Sequence, residues 1–471
     1  MRKLAIVPIA AAFLSACTVG PNYQRPAVPA PMRFRAPEGG PAAADPASLG
    51  DLKWFEVFKD QKLQELVRTA LEQNYDLRDA VARVDAASAQ LGLTRSDQLP
   101  GVGAAADIST VRLSRNGQTP LPVSFVRSQN RTFGGAALDL LSYEVDIWGK
   151  LRRSTEAARA NLLAAEENRK AVMTTLVSEV ASAYFSLREL DYQLDISRRT
   201  LSTRQESLEL IKNRQAGGVA TLLDLRQGEQ LVYTASETIP ALQQQIEQTE
   251  NQISLLMGKN PGEVVRGNSL TGQAMPPDVP AGLPSALLER RPDIRAAEQA
   301  LIAANAQIGV ARAAYFPQIS LSGFLGGQGT QLSSLFAGPS AVWNFTPQVT
   351  QPIYIGGRLK SDVKLSQAQR DGTLIQYEKT IQTAFTEVSN ALIAHQRVKE
   401  SRVQQELLVA ALQDRTRLAY VRYRGGVDTL LNALDSDRDL FQAELTLSQI
   451  RLNELNSVVQ LYKALGGGWQ N

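Results

Sequence analysis

The sequence predicts a mostly helical chain with a small β component, in which long coiled-coil helices and strand hairpins form one unit used twice. Three observations carry this expectation. Separate motifs recur at fixed offsets, two helix-forming stretches of 67 residues occupy corresponding places, and four shorter segments are rich in Gly, Ser, Thr and aromatic residues.

The repeat comes first because it sets the architecture. Gly217-Gly218-Val219-Ala220-Thr221-Leu222-Leu223 reappears as Gly425-Gly426-Val427-Asp428-Thr429-Leu430-Leu431, and 425 − 217 = 208. Gly149-Lys150-Leu151 answers Gly357-Arg358-Leu359, and Gly258 answers Gly466, at the same separation. Upstream, Asp76-Leu77-Arg78 matches Asp293-Ile294-Arg295 and Pro100 matches Pro317, both 217 apart, so nine additional residues stand between Pro100 and Gly149. A length of 471 alone suggests about three domains; shared offsets replace that with two copies of one unit. The predicted segments are a signal peptide at 1–16 and a lipidated tether at 17–50. The first repeat covers 51–260 with its strand hairpin at about 101–145. A linker at 261–290 leads to the second repeat at 291–466, with its hairpin at about 318–355, and 467–471 form a tail.

Lys150 to Ala216 contains neither Pro nor Gly and is dominated by Ala, Leu, Glu, Arg and Gln, which favour the helix. Met173, Val180, Leu187, Leu194, Leu201 and Leu208 recur every seven residues, with Leu176, Ala183 and Leu190 at the intermediate spacing. This is a coiled-coil seam, on a helix roughly 100 Å long at 1.5 Å per residue. Arg358 to Arg424 is its mate, interrupted only by Gly372. Gly-Gly-Val ends each long helix, since glycine supplies the left-handed conformation that stops one. A second helix then runs from Thr221 to Met257 and, in the other repeat, from Thr429 to Leu465, with Pro240 expected to kink the first or shift its packing. Leu63–Leu99 and the shorter Arg291–Phe316 complete the helical set.

Gly101–Arg115, Arg131–Tyr143, Gln318–Leu325 and Ala341–Tyr354 show imperfect alternation between turn-forming clusters and read as two hairpins. Weak alternation is the signature of membrane barrel strands. Four strands cannot close a barrel, and an open edge is not tolerated in lipid, so several chains are needed. Three chains give a twelve-strand barrel with a pore, continued by the long helices as a coiled-coil helical tunnel.

Composition narrows the function. With 50 Lys+Arg against 47 Asp+Glu the formal charge is +3, without the basic excess that phosphate recognition requires. One Cys and one His exclude a disulfide scaffold and a Cys/His zinc cluster. No phosphate-binding loop, His-based triad or metal cluster is present, so neither a catalytic residue nor a cofactor is expected. His395 falls on the line Leu374, Ile381, Val388 and reads as a packed seam residue and a candidate for pH sensitivity. Trp148, Trp343, Phe345 and Tyr354 lie in strands or at their ends, where an interfacial aromatic belt and ordinary packing are both consistent readings.

Arg2 and Lys3 precede the apolar run Leu4–Phe13, which ends in Leu14-Ser15-Ala16-Cys17. These are the parts of a secretory signal peptide, too short to span a bilayer. Leu-Ser-Ala-Cys resembles the bacterial lipobox, which implies cleavage before Cys17, a diacylglycerol thioether and an acylated, palmitate-type N-terminus. Several acyl chains anchor stably at ~0.8 kcal/mol per buried CH₂. Thr18 in place of Asp implies, by resemblance to sorted lipoproteins, delivery to the outer membrane. The Pro- and Ala-rich stretch Pro21–Pro46 reads as an extended tether.

The lipobox, the doubled unit, Tyr143-Glu144-Val145-Asp146-Ile147-Trp148-Gly149-Lys150, Arg291-Pro292-Asp293-Ile294-Arg295 and the Gly-Gly-Val-x-Thr-Leu-Leu tips together resemble the TolC/OprM outer-membrane factor family, in its lipoprotein branch serving RND-type multidrug efflux. That resemblance implies a homotrimer in the outer membrane extending into the periplasm, partnered by a periplasmic adaptor (membrane fusion) protein and an inner-membrane RND-type pump. It implies a periplasmic gate at Leu431, Asp435, Arg422, Tyr423, Asp224 and Arg226: Leu431 as an apolar ring, Asp435 as an acidic ring, and Arg422 and Tyr423 as closing links. Adaptor docking falls to Gly217, Gly218, Val219, Thr221, Gly425, Gly426, Val427 and Thr429. Where some relatives carry Arg two residues beyond the second tip glycine, this chain has Asp428, which puts that link in doubt. For the arginines near a helix C-terminus, dipole complementarity is a competing role. The function implied is a passive conduit for drugs or other small compounds. A type I protein-secretion channel of the same fold and a non-pore periplasmic coiled-coil lipoprotein scaffold are the alternatives.

Overall fold

The computed structural model describes residues 18–35, 48–112, 130–274 and 284–469. The expected signal peptide, Cys17, the strand end beyond Arg112 and parts of the tether, linker and tail lie outside them. The helices are α1 (Trp54–Val57), α2 (Gln61–Gln73), α3 (Tyr75–Ser96), α4 (Lys150–Ala216), α5 (Leu222–Leu256), α6 (Pro284–Arg290), α7 (Pro292–Ala313), α8 (Arg358–Arg424) and α9 (Leu430–Ala464). The strands are β1 (Val102–Arg112), β2 (Asn130–Glu144), β3 (Gln318–Gly329) and β4 (Ala341–Thr350). Among the described residues no helix is long and apolar enough to cross a membrane.

The two 67-residue helices have the bounds that their glycine boundaries predict. Seam residues Val180, Leu187, Leu194 and Leu208 are buried, and α5 passes through Pro240 without a break. One expected helix is divided. Leu63–Leu99 is α2 and α3, separated at Asn74, whose ψ of 135° leaves the helical region. The Asn74 amide donates to the Leu256 carbonyl at 2.9 Å, and its side-chain oxygen accepts from the Leu77 amide at 2.9 Å, capping α3. Asn competes with the helix backbone for such bonds, which is why it stops α2 where apolar periodicity continues.

The chain forms two compact units, each drawing on both repeats. One contains residues 18–26, 84–164 and 297–376. Its sheet has the order β1-β2-β3-β4, antiparallel throughout, so the two hairpins are joined by the β2–β3 pairing. The register aligns Ala106, Ala136, Gly327 and Ala341 across the sheet, and two residues on, Ala104, Leu138, Leu325 and Trp343. Strand alternation then collects Val102, Ile108, Leu138, Leu325, Trp343, Phe345 and Val349 on one face, all largely exposed. The opposite face carries Asp107, Asp139, Ser320, Ser322, Asn344, Thr346 and Gln348. Beyond the sheet, Ala157 and Ala160 of α4 pack on Ala303 and Ala306 of α7. Trp148 stacks on Phe316 at 4.7 Å and donates to the Pro317 carbonyl, an internal role rather than a belt position. Residues 18–25 form neither helix nor strand, and they are pinned. Arg153 donates to Asn22 at 2.7 Å, Asn305 to the Pro21 carbonyl at 2.9 Å, and Arg25 pairs with Glu298 at 3.0 Å.

The other unit contains residues 27–83, 165–296 and 377–469 of the described chain. Ala183, Leu187 and Leu194 of α4 meet Leu242, Ile246 and Ile253 of α5 in one core. Asp60 caps α2 and accepts from the Tyr184 hydroxyl, the Asn268 amide and Gln273. Burial raises its pKa, but these donors more than offset that and hold the carboxyl below its ordinary value. Arg291 of the Arg-Pro-Asp motif is buried; it grips Asp293, Glu387 of α8 at 2.7 Å and the Ala464 carbonyl of α9 at 3.0 Å. His395 accepts the packed role: its Nδ1 shares a hydrogen bond with Ser457 Oγ at 2.8 Å.

Candidate functional site at the helix tips

The candidate gate and docking residues all lie in the unit just described, at the turns joining α4 to α5 and α8 to α9. Both turns are built the same way. Gly218 and Gly426 have φ of +77° and +75°, so each adopts a conformation that a side chain would strain. The Val219 amide donates to the Arg214 carbonyl at 2.8 Å, and Val427 to Arg422 at 3.1 Å, the six-residue closure that follows a left-handed helix end. The result projects Val219 and Val427 into solvent, 74% and 67% exposed, beside exposed Leu222, Leu223 and Leu431. Isolated apolar side chains at a turn are common, but a group of them is suited to contact with another protein.

The start of the next helix differs. In the first tip Thr221 and Asp224 form a reciprocal cap: the Asp224 amide donates to Thr221 Oγ1 at 3.1 Å, and the Thr221 amide donates to the Asp224 carboxylate at 2.8 Å. Arg226 pairs with Glu229 at 2.6 Å. Asp224 and Arg226 therefore make their bonds within their own helix end. In the second tip Thr429 makes no side-chain cap. Asp428 takes over, accepting from the Thr429 amide at 2.8 Å, Asn432 Nδ2 at 2.7 Å and Arg422 Nε at 3.0 Å. The Asn432 amide, then the Thr429 amide and Arg422, hold the Asp428 carboxyl below its ordinary value. The position that put one link in doubt thus forms a different link, joining the end of α8 to the start of α9.

The remaining candidates separate into two groups. Tyr423 is buried with Ile211, Ala419, Leu430, Ala433 and Leu434, and the Arg214 guanidinium lies 4.7 Å from its ring centre. Leu431 and Asp435 stand one turn apart on α9, on a common face. Leu431 is half exposed, and Asp435 closes a chain of ion pairs through Arg438 and Asp439 to Arg415 of α8.

Three residues were not anticipated. Arg214 corresponds to Arg422 at the repeat offset, so superposing the repeats would have exposed it. Arg204 and Asp437 form a buried pair at 2.6 Å, with side chains 2% and 8% exposed. Arg204 also donates to the Leu231 carbonyl of α5 and lies over Phe441 of α9. Burial raises the Asp437 pKa despite Arg204. The partners are 233 positions apart, with no local signal to link them. Among the described residues no group of three or more His, Cys, Asp or Glu side chains could hold a metal ion.

Comparison with known proteins places these tips in a family context. The family model described as outer membrane efflux protein matches residues 66–259 and 283–467. The two matches begin 217 positions apart and end 208 apart, the separations that define the internal repeat. The toluene efflux pump outer membrane protein TtgC of Pseudomonas putida is 38% identical over 470 residues, 99% of this chain and 96% of that protein. The structure of the outer-membrane channel OprN aligns with a TM-score of 0.89 at 30% identity, over 97% of this chain and 100% of that one. The open state of the Neisseria gonorrhoeae MtrE outer membrane channel aligns with a TM-score of 0.86 at 32% identity, over 96% and 99%.

Proposed function

The chain belongs to the outer membrane efflux protein family, and from that premise we propose that it is the trimeric outer-membrane channel of a tripartite efflux system. It is a passive conduit, and the energy comes from a partner pump. The observation that carries the reading is the four-stranded antiparallel sheet with one apolar and one polar face, whose outer strands β1 and β4 each keep one edge without a strand neighbour among the described residues. Edges of that kind must be closed in lipid. Three copies supply twelve strands, with the apolar faces outward and the polar faces lining a pore. A coiled-coil scaffold has no use for such a sheet. The efflux names of the relatives favour small compounds over secreted protein.

Residues 1–16 are the signal peptide and Cys17 carries the lipid. The repeats occupy 51–260 and 291–466, with 17–50 as tether, 261–290 as linker and 467–471 as tail. Val219 and Val427, presented by Gly217-Gly218 and Gly425-Gly426 and flanked by Thr221 and Thr429, form the surface that docks a periplasmic adaptor, which in turn engages an inner-membrane RND-type pump. Leu431 and Asp435 form an apolar and an acidic ring about the threefold axis. Arg422 and Tyr423 set the closed position of α8 against α9, with Asp224 and Arg226 as the first repeat's weaker counterpart. Three like charges on an axis repel, and a few exposed pairs restrain them weakly, so a partner needs only a small differential affinity to open the tip. The test is reconstitution of the full chain in planar bilayers. Trimer-sized particles with small, discrete conductance support the reading; trimers that never conduct, across a range of voltage and salt, refute it.

A further inference from the structure

The connection between β3 and β4 leaves a cavity that the conduit does not use. Residues 330–340 do not stand clear of the sheet; Leu335 folds onto it, so closely that a Cβ at Gly327 would lie 2.0 Å from the Leu335 carbonyl oxygen. Gly327 shares its face with its register partner Ala136 and with Ala106, which pairs with Ala136, and that is the apolar face. Between these small residues and Leu335, Phe336 and Ala337 lies an open crevice of about 550 Å³. Its whole lining is Ala, Gly, Leu and Phe. Phe336 at its mouth is 84% exposed.

We propose that this crevice binds one acyl chain of a lipid of the surrounding outer leaflet. Four observations converge on that occupant. An apolar cavity without polar partners does not hold water and accepts apolar ligands. The crevice opens on the face that carries the exposed Leu, Val, Ile, Trp and Phe side chains of the sheet, so it is continuous with the lipid-facing surface. It lies by the β3–β4 connection, at the ends of β3 and β4 opposite those that run toward α7 and α8. The hairpin around it contains no Asp, Glu, Lys, Arg or His from Ala313 to Gly357, so it offers no cation to a phosphate headgroup and recognises hydrocarbon alone. The first hairpin, by contrast, carries Arg112 and Arg131 as well as Asp107, Asp139 and Glu144 on its strands. Small residues at Ala106, Ala136 and Gly327 are needed to keep the floor open, and Leu335 and Phe336 clamp the chain from above.

The inference rests on the outward orientation of the apolar face, and the test separates the two. The full chain is placed in nanodiscs containing phosphatidylethanolamine with a photoactivatable diazirine midway along one acyl chain, and adducts are mapped by mass spectrometry. Adducts enriched at least fivefold on 104–106 and 335–337 over Phe345 and Val349 of the same face are expected. Ala136→Leu, which fills the floor, should remove that enrichment while labelling of Val349 persists. Even labelling along the face, or enrichment unchanged in Ala136→Leu, overturns the crevice but leaves the barrel standing. No labelling at Phe345 and Val349 overturns the outward orientation itself. Val342→Leu, on the opposite face, controls for a general effect of added volume; loss of enrichment there as well overturns the assignment to the crevice floor.

Discussion

The two helix tips have one backbone and two different polar circuits. Both end their long helix on a left-handed glycine and present an exposed valine. Across the repeat offset, however, Ala220 and Asp224 of the first tip correspond to Asp428 and Asn432 of the second: the acid has moved from inside the following helix to a position two residues before its start. From inside the helix Asp224 satisfies only its own cap. From before it, Asp428 reaches back to Arg422 on the preceding helix. One displaced carboxylate therefore changes a self-contained turn into a strap between two helices. The glycines specify the shape of a tip, and the position of the acid decides whether that shape is tied.

The largest expected effect removes what the two tips share. Arg204 joins α4 and α5 of the first turn to α9 of the second. Arg204→Ala leaves Asp437 buried and unpaired and should cost about 3–5 kcal/mol of stability, read as a lowered thermal midpoint of the purified protein. Amide exchange should then rise at both tips together. A rise confined to one tip would show that the tips are held independently.

A smaller effect distinguishes the caps. Thr221→Ala removes a reciprocal cap and should destabilise the start of α5 by about 1 kcal/mol, visible as faster amide exchange over 222–226. Thr429→Ala should leave exchange over 430–434 nearly unchanged, because Thr429 makes no side-chain cap. Equal responses would remove the distinction between the two circuits.

Much of this contrast is legible in the sequence, and the reasons it stops are physical. Helix ends are local: Gly217-Gly218 and Gly425-Gly426 announce them, and α4 and α8 have the predicted bounds. The division at Asn74 is also local, but it competes with an apolar period that runs on, and only the acceptor on Leu256 resolves the competition. The strand segments were visible from composition; the β2–β3 pairing that joins the repeats was not, because alternation does not name a neighbour. Tip candidates such as Tyr423 and Leu431 came from motif resemblance, and their differing burial is set by helices far away in sequence. The Arg204–Asp437 pair was invisible for the same reason. Asp428 stood out as a departure, yet the residue that it binds follows from the geometry of the glycine turn.

The finest prediction moves the acid itself. Asp428→Ala combined with Asn432→Asp gives the second tip the polar circuit of the first. The Arg422 strap should be lost and a local cap gained, so the channel should open about twofold to fivefold more often in bilayers with little change in thermal midpoint. Thr221→Ala, which disturbs only a cap, should not raise opening. The pH response sharpens the assignment further. Asp428 has a pKa below its ordinary value of 3.8, so its contribution is present above that value and is lost as pH falls through the lower folded-state pKa. The difference in opening between the wild type and the exchanged variant should therefore stay constant from pH 8 to about pH 5, and vanish only below about pH 4 as Asp428 is protonated. A difference that disappears near neutrality would assign the restraint to some other group, and the second tip would be, like the first, merely capped.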